Sequence, residues 1–80
     1  MARMTRRSTD DASPSRRRFA KNLREARLAA GLSQTDMEAR TGIARTSLSD
    51  VEQGKQNVTI DLMDRLATAV GRSLSELLMP

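Results

Sequence analysis

Apolar residues recur along the chain at helical spacing, in five stretches separated by glycine and small polar residues. Phe19, Leu23 and Ala26 mark the first and Met37 the second, while Ala44, Leu48 and Val51 repeat at i, i+4 and i+7 in the third. Ile60, Met63, Leu66, Ala67 and Val70 form the stripe of the fourth, and Leu74 and Leu77 define the fifth. Gly31, Gly42, Gly54 and Gly71 each follow one of the first four stretches, where a helix commonly ends in a left-handed residue. Ser33 with Asp36 and Ser73 with Glu76 have capping-box spacing, and Thr59 stands as an N-cap before Ile60. This punctuation predicts helices over about 15–30, 33–41, 44–53, 59–70 and 73–78, with ends uncertain by ~2–4 residues. No alternation of apolar and polar residues suggests a strand. The expected fold class is therefore all-α, a compact five-helix bundle, with Leu32 and Ile43 as apolar staples in its turns. Met1 to Pro14 is polar, arginine-rich and aperiodic, which predicts a disordered basic tail over 1–14 ahead of one domain over 15–80.

Composition narrows the chemistry. Eighty residues make one small domain, expected to bury only about 60% of its unfolded surface, so its core must be efficient or shared with a partner chain. Cysteine and histidine are both absent and lysine occurs only at 21 and 55, which removes disulfides, thiolate metal sites and the commonest general base. No metal, no cofactor and no catalysis are expected. No apolar run approaches the roughly 20 residues of a membrane span, and no hydrophobic segment follows the basic N-terminus as in a secretory signal. The expectation is a soluble, cytoplasmic protein that does not engage membranes. Charge is lopsided: residues 1–18 carry six arginines against Asp10 and Asp11, whereas residues 19–80 are balanced, so all of the net +4 lies at one end. Such an end suits nucleic acid or serves as a solvated leader.

Helices 2 and 3 are separated only by Thr41-Gly42-Ile43-Ala44. Two short helices joined by a turn of this length with a glycine form a helix-turn-helix, whose second helix can enter a major groove while the first braces it. An ordinary αα-hairpin has the same local pattern. Three features favour DNA. Gln34 stands at the start of helix 2, where free amides and the helix dipole welcome a phosphate. The outward side of helix 3 offers Arg45, Thr46, Ser49 and Asp50. The following loop, Gly54-Lys55-Gln56-Asn57, is rich in hydrogen-bond donors and lacks acidic residues.

From Phe19 to Leu78 the chain resembles the Cro/CI-type, or XRE, helix-turn-helix family of phage-repressor-like domains. The resemblance rests on Leu23-Arg24-Glu25-Ala26-Arg27, Gly31-Leu32-Ser33-Gln34, Thr41-Gly42-Ile43, Leu48-Ser49-Asp50-Val51-Glu52-Gln53-Gly54-Lys55, Asn57-Val58-Thr59-Ile60 and Leu66-Ala67-Thr68-Ala69-Val70-Gly71. It implies a lambda-repressor-like domain with a recognition helix at about 44–53, bases read by Arg45, Thr46 and Asp50, and Gln34, Ser47, Lys55 and Asn57 on the DNA backbone. Ser49 joins the base-reading set and Gln56 the backbone set by position. Arg45 has the paired donors for guanine O6 and N7, and Asp50 could accept from a cytosine amino group or simply be a solvated carboxylate. Lys55 reads as a phosphate contact or as an exposed loop charge. The resemblance further implies that Arg27 and Glu52 form a structural ion pair joining helices 1 and 3.

Three positions depart from the family pattern. Glu38 replaces a small alanine, so helices 2 and 3 are splayed or the carboxylate turns outward over its own stem. Ala44 stands where a hydroxyl or amide would cap the recognition helix, and Val58 replaces a loop proline.

The resemblance points to a transcriptional regulator acting as a homodimer on double-stranded, palindromic DNA, similar to restriction–modification controller proteins or small phage and plasmid repressors. Leu74, Leu77, Leu78 and Met79 leave apolar area at the C-terminal end and are read as the dimer surface. The arginines at 3, 6, 7 and 16–18 would follow phosphates or a minor groove, or form a solubilising leader. With no ligand-binding domain expected, control would come through concentration, operator arrangement or a partner protein. Two other functions fit the same residues. One is an antitoxin that neutralises a toxin and represses its own operon. The other is a protein-interaction module that no longer binds DNA.

Overall fold

The computed structural model describes residues 12–80, and the expectations for residues 1–11, including Arg3, Arg6 and Arg7, lie outside that range. Five helices follow one another: α1 (Pro14–Ala29), α2 (Gln34–Thr41), α3 (Arg45–Glu52), α4 (Ile60–Ala69) and α5 (Leu74–Leu77). Each lies within two residues of its predicted bounds, and the described residues contain no strand. The first helix starts earlier than expected. Pro14 occupies its opening position and Ser13 caps it, the Oγ accepting from the Arg16 amide at 3.1 Å. Proline fits there because its missing N–H would have had no intrahelical partner. Ala12 is already buried, so residues 12–14, assigned to the tail on sequence, belong to the helical domain.

The expected caps form. Ser33 and Ser73 each close a reciprocal box, with Asp36 and Glu76 accepting from the serine amides at 2.9 and 2.8 Å. Thr59 accepts from the Leu62 amide. Both box carboxyls are held below the ordinary carboxylate range, chiefly because they accept those backbone N–H groups. Ala44, at the head of α3, makes no side-chain cap bond.

The interior is a single aliphatic cluster around one aromatic ring: Phe19, Leu23 and Ala26 of α1, Met37 of α2, Leu48 and Val51 of α3, Leu66 and Ala67 of α4, then Val70 and Leu77. Leu32 and Ile43 pack against it from the turns, and Val58 does so from the loop where the family prefers proline. Glu38 is exposed while its neighbour Met37 is fully buried. The carboxylate has turned outward, and α2 still packs on α3.

One apolar residue is not where the periodicity put it, and one is not where the dimer reading put it. Ile60 is 68% exposed. It opens α4, and at ~100° per residue it sits ~70° from the centre of the buried stripe. Leu77, read as part of a dimer surface, is only 2% exposed and belongs to the core. The short α5 folds back on α1, where Asn22 Nδ2 donates to the Leu77 and Met79 carbonyls at 2.9 and 2.7 Å. Leu77 is thereby turned inward, while Leu74 and Leu78 stay half-buried and Met79 is exposed. No described helix is long and apolar enough to cross a membrane.

Candidate nucleic-acid interface

The turn between α2 and α3 is built from its own side chains. Gly42 has φ +77°, a left-handed conformation that costs a residue with a Cβ roughly 1–2 kcal/mol. Just before it, Thr41 Oγ1 donates to the Met37 carbonyl at 2.8 Å and accepts from the Ile43 amide at 3.1 Å. The hydroxyl thus satisfies backbone groups at both ends of the turn and fixes the angle at which α3 leaves α2.

Helix α3 divides cleanly into two sides. Leu48, Val51 and Glu52 are buried, whereas Arg45, Thr46 and Asp50 are exposed and Ser47 and Ser49 are half-buried. The five residues expected to meet DNA from this helix therefore share one accessible, polar surface. Gln53 extends it. Its Nε2 donates to Ser49 Oγ at 3.0 Å, and only its spacing of four from Ser49 could have flagged it beforehand. The helix ends in a Schellman motif, with Gly54 N–H on the Val51 carbonyl and Lys55 N–H on the Asp50 carbonyl at 3.0 and 2.9 Å. Gly54 has φ +74°, and a Cβ there would meet Ala20 of α1 at 4.0 Å. The loop carrying Lys55, Gln56 and Asn57 is thus set by backbone geometry; Lys55 and Asn57 are exposed and Gln56 is half-buried.

Arg27 and Glu52 form the expected ion pair. Nε and Nη2 of Arg27 donate to the two carboxylate oxygens at 2.6 and 2.9 Å, a bidentate geometry that is stronger and more directional than a single contact. Arg27 Nη1 also donates to the Leu32 carbonyl at 2.9 Å. The residues are 7% and 8% exposed, and the bonds to Glu52 hold the guanidinium above its already high ordinary value.

Gln34 departs from the simple expectation. It is half-buried, and its Nε2 donates to Glu52 Oε1 at 3.2 Å. The side chain read as a phosphate contact is thus also the third member of the ion-pair network, tying the start of α2 to the end of α3. On the far side of α2, Arg40 Nη1 donates to the Ala69 carbonyl at 3.3 Å, as a cation at a helix C-terminus should. No cluster among the described residues could hold a metal ion.

Known proteins resemble this chain in sequence and fold. A family model described as helix-turn-helix matches residues 23–77. The uncharacterized HTH-type transcriptional regulator y4dJ of Sinorhizobium fredii is 37% identical over 65 residues, covering 81% of this chain and 84% of its own. The crystal structure of the restriction–modification controller protein C.AhdI from Aeromonas hydrophila is 38% identical, with a TM-score of 0.71 over 76% of this chain and 92% of its own. A second controller protein, C.Esp1396I, has been solved as a tetramer on its natural 35 base-pair operator. It covers 82% of this chain and 91% of its own with a TM-score of 0.75, and at 23% identity the likeness is one of fold.

Proposed function

The chain belongs to the Cro/CI-type (XRE) helix-turn-helix family of transcriptional regulators, and from that premise we propose that it is a dimeric regulator that reads a palindromic operator with α3 in the major groove. The observation that carries the reading is the division of α3: an aliphatic and ion-paired side locks it to the core, and the opposite side presents Arg45, Thr46 and Asp50 to solvent with Ser49 half-buried among them. On this reading Arg45 takes a guanine through two donors, Thr46, Ser49 and Asp50 complete the base contacts, and Ser47, Lys55, Gln56 and Asn57 grip phosphates. Gln34 holds α3 in place through Glu52 and offers its amide face to the backbone near the start of α2.

Dimerisation uses Leu74, Leu78 and Met79, with Met79 60% exposed and the segment steadied by Asn22. Two recognition helices would then lie about one turn of DNA, ~34 Å, apart. Gel shifts with the DNA upstream of the protein's own gene test the reading. A discrete complex, competed by the same duplex and not by an unrelated one, supports it; binding that is equal for every duplex, or absent, defeats it.

A further inference from the structure

Arg16, one of the N-terminal arginines read above as phosphate contacts or as a solubilising leader, takes a defined place in the fold. It lies four residues before Ala20 and seven before Leu23, on the side of α1 that faces the interior. It lines a cleft of about 350 Å³ together with Ser13, Asn57, Val58 and Met63. That is many times the ~30 Å³ share of a water molecule. Its Nε is buried and, among the described residues, has no hydrogen-bond partner. None of the described residues lining the cleft is acidic.

A buried donor left unsatisfied is rare and destabilising. An apolar side chain of similar length would fill the position beside Val58 and Met63 without that penalty. An arginine held there with its Nε unpaired is arranged for an acceptor that arrives from outside, and a guanidinium selects an anion with oxygens in fork geometry. The cleft adjoins the loop that presents Lys55 and Asn57 to solvent, immediately after the recognition helix. An anion at this place fits a phosphodiester of the duplex whose groove takes α3.

We propose that Arg16, with Asn57 and the Ser13 hydroxyl, forms a binding site for one DNA phosphate, a clamp from the start of α1 that adds to the helix-turn-helix contacts. The site rests on the DNA-binding reading above. Binding turns the guanidinium towards the phosphate, so the Nε that is shielded from solvent in the free protein gains its partner only in the complex, and the contact fixes the register of α1 on the backbone without reading sequence.

The test is fluorescence anisotropy with a labelled duplex of random sequence, between 50 and 200 mM salt, together with thermal melting. Arg16→Met keeps the stem and removes the donors; Arg24→Met removes an equal charge from an exposed position of the same helix, outside the cleft. Loss of one phosphate contact lowers the salt slope by ~0.9, so the affinity lost across that salt range shrinks about 3.5-fold. The site predicts this change for Arg16→Met and not for Arg24→Met, with a melting temperature equal to or above that of the parent. Asn57→Ala combined with Arg16→Met should lose less affinity than the product of the two separate losses, because both act on one phosphate. Equal slopes for the two arginine variants, a lowered melting temperature for Arg16→Met, or strictly multiplicative losses would overturn the site while leaving DNA binding intact. Failure of the parent protein to bind any duplex at 50 mM salt would instead defeat the DNA-binding reading on which the site depends.

Discussion

Removing one partner of the Arg27–Glu52 pair should unfold much of the population rather than merely weaken DNA binding. The side chains are 9% and 2% exposed, so neither can be rehydrated without opening the core between α1 and α3. In Arg27→Ala the carboxylate is left with one contact, the 3.2 Å bond from Gln34. In Glu52→Ala the guanidinium keeps the Leu32 carbonyl at 2.9 Å. The first variant should therefore suffer more. Stranding one member of a buried pair costs ~3–5 kcal/mol, against a total stability of roughly 4–12 kcal/mol for a domain this size. At ~4–8 °C per kcal/mol, melting should fall by roughly 12–40 °C.

A second substitution separates this account from a simple packing loss. Arg27→Ala strands a buried charge, and Glu52→Gln removes that charge while keeping the side-chain shape, so the double variant should melt above Arg27→Ala alone. Circular dichroism melts of the parent and the two variants decide the matter. An Arg27→Ala protein with native helicity that melts within ~4 °C of the parent at pH 7 would refute the argument.

Other substitutions act on single features. Ala44→Ser supplies the missing cap of α3 and should add ~1 kcal/mol, raising the melting temperature by ~4–8 °C; no rise would mean that the exit from the turn cannot hold a capping rotamer. Asp36 and Glu76 have ordinary values of 3.8 and 4.5 that folding lowers. Their contribution is complete above those values and is lost as the pH falls through the lowered ones, so parent melting should be flat from neutrality to about pH 5 and decline below it. Asp36→Ala should shrink that decline. Arg45→Ala should leave melting unchanged and cost ~1–3 kcal/mol of discrimination at one operator position, whereas Lys55→Ala should weaken all duplexes alike and reduce the salt slope by ~1. Equal effects of the two variants on specific and random DNA would show that Arg45 touches only backbone.

What could be read in advance follows the range over which each signal acts. Caps, glycine stops and the stripe from Leu48 to Val51 are decided within a few residues, so helix bounds and the solvent-facing side of α3 were open to sequence. The Arg27–Glu52 pair spans 25 residues and came only through family likeness. Ile60 and Leu77 were misjudged for opposite versions of one reason: periodicity says which side of a helix is apolar, and only the neighbouring helices decide whether that side is covered. Ile60, at the first position of α4, points away from the core on which Leu62 and Met63 of the same turn pack, and stays in solvent. α5 is drawn onto α1 by Asn22, a polar residue 55 positions from the Leu77 carbonyl it holds, and Leu77 is enclosed. The same logic bears on the proposed dimer. If folding α5 onto α1 already consumes Leu77, the remaining Leu74, Leu78 and Met79 make a small apolar surface whose orientation depends on Asn22. Asn22→Ala should then loosen the C-terminal segment and weaken dimerisation before it affects the core, measured as a shift towards monomer in sedimentation equilibrium with helicity retained. A variant that dimerises as tightly as the parent would place the interface elsewhere.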